Sequence, residues 1–174
     1  MADPKDLYSK DYDTYNIRSI EKNRAAGVKP IPAGYHTATP YLIVNDAAKA
    51  LEFYKQAFGA SEVMRMAGPG GSIMHAEIKI GDSIIMLGQE NLKAGVRSPQ
   101  SLGGSPMFLY LYVEDCDRVF NRAVNAGATA AMPLKDQAWG DRSGNVRDPF
   151  GHSWWIATRK ENVSEEEIRR RMAA

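Results

Sequence analysis

Residues 141–155 read DRSGNVRDPFGHSWW: a polar approach, the hard turn Asp148-Pro149-Phe150-Gly151, then an aromatic run opening at His152. Proline presets the bend and glycine relieves it, so the segments NVRD and HSWWIAT on either side read as the two strands of a closing hairpin. Residues 73–87, IMHAEIKIGDSIIML, have the same form, with Ile80-Gly81 standing where Phe150-Gly151 stands later. The likeness extends outward from both hairpins. TPYLIVND (39–46) matches MFLYLYVED (107–115) as a buried strand, and AAKALEFYKQAFG (47–59) matches CDRVFNRAVNAG (116–127) as an amphipathic helix. SEVMRM (61–66) matches ATAAMPL (128–134) as a further strand. Each set is a βαβββ unit, repeated after about 65 residues, and each is too thin to hold a core alone, so the two are expected to share one.

The remaining segments fall around this duplication. Residues 1–34 form a polar N-terminal arm and linker in which 14–27 have a thin helical stripe that stops at Gly27, before the breaker KPIPAG. The first module spans 35–88, a Gly/Ser/Pro-rich connector 89–105 and the second module 106–160. Residues 161–174 carry a short helix with Ser164 and Glu167 at capping-box spacing. The fold class is therefore α+β, two tandem modules making a curved mixed sheet.

Composition excludes several classes. Twenty-two Lys+Arg against 21 Asp+Glu leave a net charge of +1, so no field draws the chain to nucleic acid or an anionic membrane. No apolar run approaches the ~20 residues of a membrane span. The one cysteine, Cys116, sits on the buried face of a predicted helix and has no partner for an internal disulfide. A cytoplasmic protein is expected, with no nucleic acid or membrane partner.

The order and spacing of TPYLIV, EFYKQAFGA, IMHAEIKIGDSIIML, DQAWGDRSG and DPFGHSW resemble the vicinal oxygen chelate superfamily, and within it the PhnB-like branch. That superfamily includes glyoxalase I, extradiol dioxygenases and bleomycin- and fosfomycin-resistance proteins. The resemblance implies a pair of modules whose sheets cup a small-molecule site, often in a homodimer; closure within one chain or across two stays open. In metal-dependent members four ligands, His or Glu, come from the first and last strand of each module. Those positions fall on Thr39, Met86, Phe108 and Trp155, none a carboxylate or imidazole, so no metal and no other cofactor is expected. A one-residue slip in register supplies no better donors. A different site, built from His75 and Glu77 with His36 or His152, is the weaker possibility.

Period-two alternation sorts the rest. Met107, Leu109, Leu111 and Val113 form a row suited to packing under helices, which leaves Phe108, Tyr110 and Tyr112 facing the cup. Thr39 and Tyr41 join them from the first strand, and Trp155 from the last. His75, Glu77 and Lys79 line the charged strand of the first module, with Arg147 on its repeat. His75 and Glu77 read as base and orienting carboxylate, or else Glu77 pairs with Arg147 across the cup. Trp139 and Arg142, in a WGDRSG hairpin over the rim, close on a ligand or form an Asp141-Arg142 turn.

Two functions compete. One is a metal-independent binding protein holding an aromatic or amphipathic compound against Thr39, Tyr41, Phe108, Tyr110, Tyr112, Trp139, Arg142 and Trp155, as antibiotic-sequestering members of the superfamily do. The other is a glyoxalase-like lyase or isomerase acting on a small carbonyl compound through His75, Glu77 and Arg147. Without a metal, proton transfer beside a carbonyl loses several kcal/mol of Lewis-acid stabilisation, and only Arg147, Lys79 and Arg142 could replace it. The binding reading leads.

Overall fold

The computed structural model describes residues 26–173, in two units that divide between Ala38 and Thr39. Apart from its last two residues, which form a turn, the helical stripe of 14–27 lies outside the described residues. In the unit from Thr39 onward, the chain runs β1 (Tyr41–Val44), α1 (Ala47–Phe58), β2 (Ser61–Ala67), β3 (Ile73–Ile80) and β4 (Ser83–Gln89). A connector carries the short α2 (Pro99–Leu102). The pattern then repeats as β5 (Phe108–Tyr112), α3 (Cys116–Asn125), β6 (Thr129–Asp136), β7 (Asp141–Arg147) and β8 (Ser153–Arg159), and α4 (Glu165–Met172) follows.

Each module is a four-stranded sheet, β1-β4-β3-β2 and β5-β8-β7-β6, in which the first and last strands of the module run parallel and the rest antiparallel. Local chemistry sets the helix ends. The side chains of Asp46 and Asp115 accept from the backbone N–H three residues on, capping α1 and α3, and Gly59 at φ 70° closes α1 in the left-handed region. Ser164 caps α4 in the same way. The outer strands β2 and β6 carry register shifts, and the proline of β6, Pro133, sits where an edge strand tolerates a missing donor.

One core serves both modules. The buried cluster joins Leu42, Val44, Ala76, Ile78, Ile85 and Leu87 of the first sheet, α1 and α3, and Val146, Trp154 and Ile156 of the second. The two helices touch through Arg122, whose Nε donates to the Ala57 carbonyl at 2.7 Å near the α1 C-terminus. Rings from α1 reach the second module: Phe58 lies 4.6 Å and Tyr54 5.5 Å from Trp154, centroid to centroid.

The DPFGH turn is fixed to this core by Asp148. Its Oδ2 accepts from Tyr54 Oη at 2.8 Å and Trp154 Nε1 at 2.9 Å, and its Oδ1 accepts the backbone N–H groups of Phe150 and His152, both at 2.9 Å. A buried carboxylate is stable only when its lone pairs are so engaged. Burial, with the charge of Asp148 and the bond to it, pushes the Tyr54 hydroxyl well above the usual phenol range. Because the back faces of both sheets turn to the shared core, their front faces point away from it.

Candidate functional site

The front face of the first module centres on β3. Cross-strand registers place Glu77 beside Met86 and Met64, and His75 beside Met66. His75 Nε2 lies 3.2 Å from Glu77 Oε1, and Nδ1 lies 3.1 Å from the hydroxyl of Tyr41. Glu77 is 5% exposed, His75 is partly covered and Tyr41 is 45% exposed. The Tyr41 ring reaches His75 by lying across β4 at Gly88. A Cβ built on Gly88 would stand 2.7 Å from Tyr41 Oη and 2.8 Å from its ring. Glycine in a strand here leaves room for a side chain from the next strand. The arrangement is a hydroxyl, an imidazole and a carboxylate in series.

The front face of the second module is aromatic. Phe108, Tyr110 and Tyr112 alternate along β5 and are 61%, 44% and 59% exposed. Trp155 stands beside Tyr110 in the register, its ring nearly parallel at 14° and 6.2 Å. The two tyrosines, and Trp139 beside them, meet Asp141, which is 1% exposed: its Oδ2 accepts from Tyr112 Oη at 2.9 Å, Trp139 Nε1 at 3.1 Å and, at 3.5 Å, Tyr110 Oη, while Arg159 lies 3.9 Å from its Oδ1. Desolvation of its hydroxyl, then the bond to Asp141 and that residue's charge, push Tyr112 up to about 12. Ser143 and Asn145 continue a buried polar row along β7. Asn145 Oδ1 accepts from Ser153 Oγ at 2.9 Å, and its buried Nδ2 has no hydrogen-bond partner among the described residues.

Several expected placements change. Arg142 does not face the cup: it is an interior residue of β7, and alternation turns it to the helix side, where Nε and Nη2 donate to Asp117 at the start of α3 at 2.7 and 2.8 Å. No Asp141-Arg142 turn forms, because both residues lie in the strand and the bend is at 137–140. Glu77 does not pair with Arg147; the imidazole two residues away takes it, and Arg147 lies exposed at the end of β7 on the other module's front face. Thus His75 and Glu77 meet, and Arg147 does not join them. His152 is buried under the β7–β8 turn with Nδ1 3.6 Å from Asp148 Oδ2. Among the described residues no three of His, Cys, Asp and Glu gather as metal ligands. The four inherited positions do not pair with one another: Met86 lies opposite Tyr41, two residues beyond Thr39, and Trp155 opposite Tyr110, two beyond Phe108. That donor set, a hydroxyl, a thioether and two aromatic rings, does not fit a divalent ion.

Asp141 as the organiser of the aromatic wall and Tyr41 as the partner of His75 are additions that the linear pattern did not give. Gly88 inside an apolar strand was the available signal for the second.

Comparison with known proteins follows the same outline. A sequence model of the Glyoxalase/Bleomycin resistance protein/Dioxygenase superfamily matches residues 35–156. An uncharacterised protein of Mycobacterium bovis is 44% identical over 139 residues, 78% of this chain and 91% of its own. Among solved structures, TioX from Micromonospora sp. ML1 is 28% identical, with a TM-score of 0.56 over 70% of this chain and 98% of its own. A gene product of Arabidopsis thaliana is 25% identical, with a TM-score of 0.58 over 71% and 98%. A PhnB protein from Bacillus cereus, at 21% identity and a TM-score of 0.54 over 71% and 99%, shares the fold.

Proposed function

The chain belongs to the glyoxalase/bleomycin resistance protein/dioxygenase superfamily, and on that footing we propose that it is a metal-independent binding protein for a planar aromatic or amphipathic compound. The observation that carries this is the second module's wall of aromatic rings, presented to solvent, in which the hydroxyls of Tyr112 and Tyr110 are anchored by the buried Asp141. Exposed rings already held in place lose little freedom when a flat ligand stacks on them, so binding energy is not spent on ordering the wall. Trp155, Tyr110, Phe108 and Tyr112 supply stacking faces, and Arg147 at the end of the row offers a charge to a polar ligand group. The poor donor chemistry of Thr39, Met86, Phe108 and Trp155 supports the absence of a metal from this function.

The active form in this reading is a homodimer. Each front face is open in one chain, because both sheets turn their backs to one core. A second copy would bring an aromatic face of one chain over the His75–Glu77 face of the other and turn two shallow surfaces into a cleft.

Titration of planar antibiotics and methylglyoxal adducts, followed by tryptophan emission, tests the reading. Saturable quenching is expected, weakened by Trp155→Leu and by Tyr110→Leu. Quenching that neither substitution alters, or none across the panel, would overturn it. Sedimentation is expected to show a dimer, and a monomer that binds at full affinity would remove the second copy from the site.

A further inference from the structure

The first module's front face is not explained by the binding of a flat ligand on the second. Burying a carboxylate such as Glu77 in an apolar setting is costly, and here it faces the methionines Met64 and Met86. The imidazole that engages it is engaged again, on its other nitrogen, by Tyr41. A neutral imidazole that serves both contacts is the Nε2–H tautomer: Nε2–H donates to the Glu77 carboxylate, and Nδ1 accepts from the Tyr41 hydroxyl. The Tyr41 oxygen keeps a lone pair after this bond, and Tyr41 is the exposed end of the series.

We propose that Tyr41, His75 and Glu77 form a proton relay that recognises acidified phenols and enols by taking their hydroxyl proton. This stands on the first module alone and does not depend on the reading above. The step balances as follows. The ligand O–H bond breaks and its proton goes to Tyr41 Oη; the proton that Tyr41 held goes to His75 Nδ1. The ligand becomes an oxyanion that accepts from the re-protonated tyrosine, and the imidazolium is stabilised by Glu77. Carboxylate, imidazole and hydroxyl in series are the parts of an activated hydroxyl, and here the hydroxyl passes the proton on.

Relative acidity selects the ligand class. A plain phenol, at about 10, is too weak an acid to give up its proton near neutral pH. A phenol or enol conjugated to a nitro or carbonyl group is acidic enough to surrender it. The other charged side chain on this face is Lys79 of β3; the front-facing residues of β2 and β4 beside the relay, Met64, Met66, Met86 and Ile84, carry no charge, nor does Ile43 of β1. An ion pair formed there is weakly screened.

The probe is 4-nitrophenol, whose phenolate absorbs in the visible. Adding protein at a pH where the free phenol is protonated should raise the phenolate band saturably, the bound ligand's apparent pKa falling by about one unit, a tenfold change in ionisation. Tyr41→Phe and Glu77→Gln should each remove the shift. Gly88→Val should remove it too without altering the chemistry of any relay residue, since its Cβ displaces the hydroxyl end of the Tyr41 ring from His75. Arg142→Ala, on the helix side, should leave it unchanged. Nitrogen NMR of the labelled histidines should show the Nε2–H tautomer at His75 in the free protein. No phenolate growth, growth that survives Tyr41→Phe, or an Nδ1–H tautomer would each overturn the relay. Tryptophan quenching by 4-nitrophenol without phenolate growth would do so while leaving the binding reading standing.

Discussion

The two modules share a topology and nearly a register, yet their front faces carry different chemistry. Tyr41 opposite Met86 corresponds to Tyr110 opposite Trp155, Glu77 to Asn145, Lys79 to Arg147 and Gly88 to Ala157. The scaffold therefore fixes where a side chain points, and single substitutions at equivalent places decide what it does. In the first module, glycine at 88 and histidine at 75 turn the tyrosine into the end of a hydrogen-bonded series. In the second, tryptophan in place of methionine and Asp141 in place of Ile73 make an aromatic wall with its polar ends tied down. One face is organised to handle a proton and the other to hold a ring.

The largest effect should break the comparison at the turns. Asp148→Ala leaves Tyr54 Oη and Trp154 Nε1 without their acceptor in the core and should cost about 3 kcal/mol or more in urea unfolding. Asp82, in the matching turn of the first module, is exposed and accepts from Ser83 Oγ at 3.0 Å, so Asp82→Ala should move stability by less than about 0.5 kcal/mol. Equal losses would mean the two turns do the same work.

Next in size is the binding contrast. Trp155→Leu removes the stack on Tyr110 and should weaken a bound planar ligand about tenfold, as an aromatic pair contributes roughly 0.5–1.5 kcal/mol. Met86→Leu at the equivalent position should change affinity less than threefold, roughly 0.6 kcal/mol.

A smaller effect appears at high pH. Tyr112, held at about 12, favours the neutral phenol in the folded chain. The stability it contributes is complete below the unfolded value of about 10 and is lost as pH rises towards and through 12. Asp141→Asn removes a charge and weakens the bond, so tyrosinate absorbance should rise earlier and the alkaline loss of stability should shrink. Ile43, at the position of Tyr112 in the first module, has no counterpart to this titration.

The smallest change tests the corrected placement of Arg142. Arg142→Ala breaks a partly exposed pair with Asp117 and should lower the urea-unfolding midpoint only slightly, with ligand affinity unchanged. A loss of affinity would return Arg142 to the cup.

Much of this was legible in the chain. Helix caps at Asp46 and Asp115, the stop at Gly59 and both hairpins could be placed because each depends on a few adjacent residues. β7 was harder. DRSG looks like loop because its residues are polar, but the strand buries Asp141, Ser143 and Asn145 on its front face, and reading it as a loop misplaced Arg142. The Glu77–Arg147 pair failed for a different reason: alternation shows that both face forward, and it says nothing about whether the two forward faces meet.

That marks the division. The sequence by itself determined the repeat, the order of the elements and, outside β7, the face on which the strand side chains stand, since these follow from period and turn chemistry within a few residues. Only the tertiary structure decided that Tyr54 reaches Asp148 across 94 positions and that Tyr41 reaches His75 across 34. Such contacts depend on how sheets and helices pack over long separations, and on the space left at a residue such as Gly88, which no local pattern encodes.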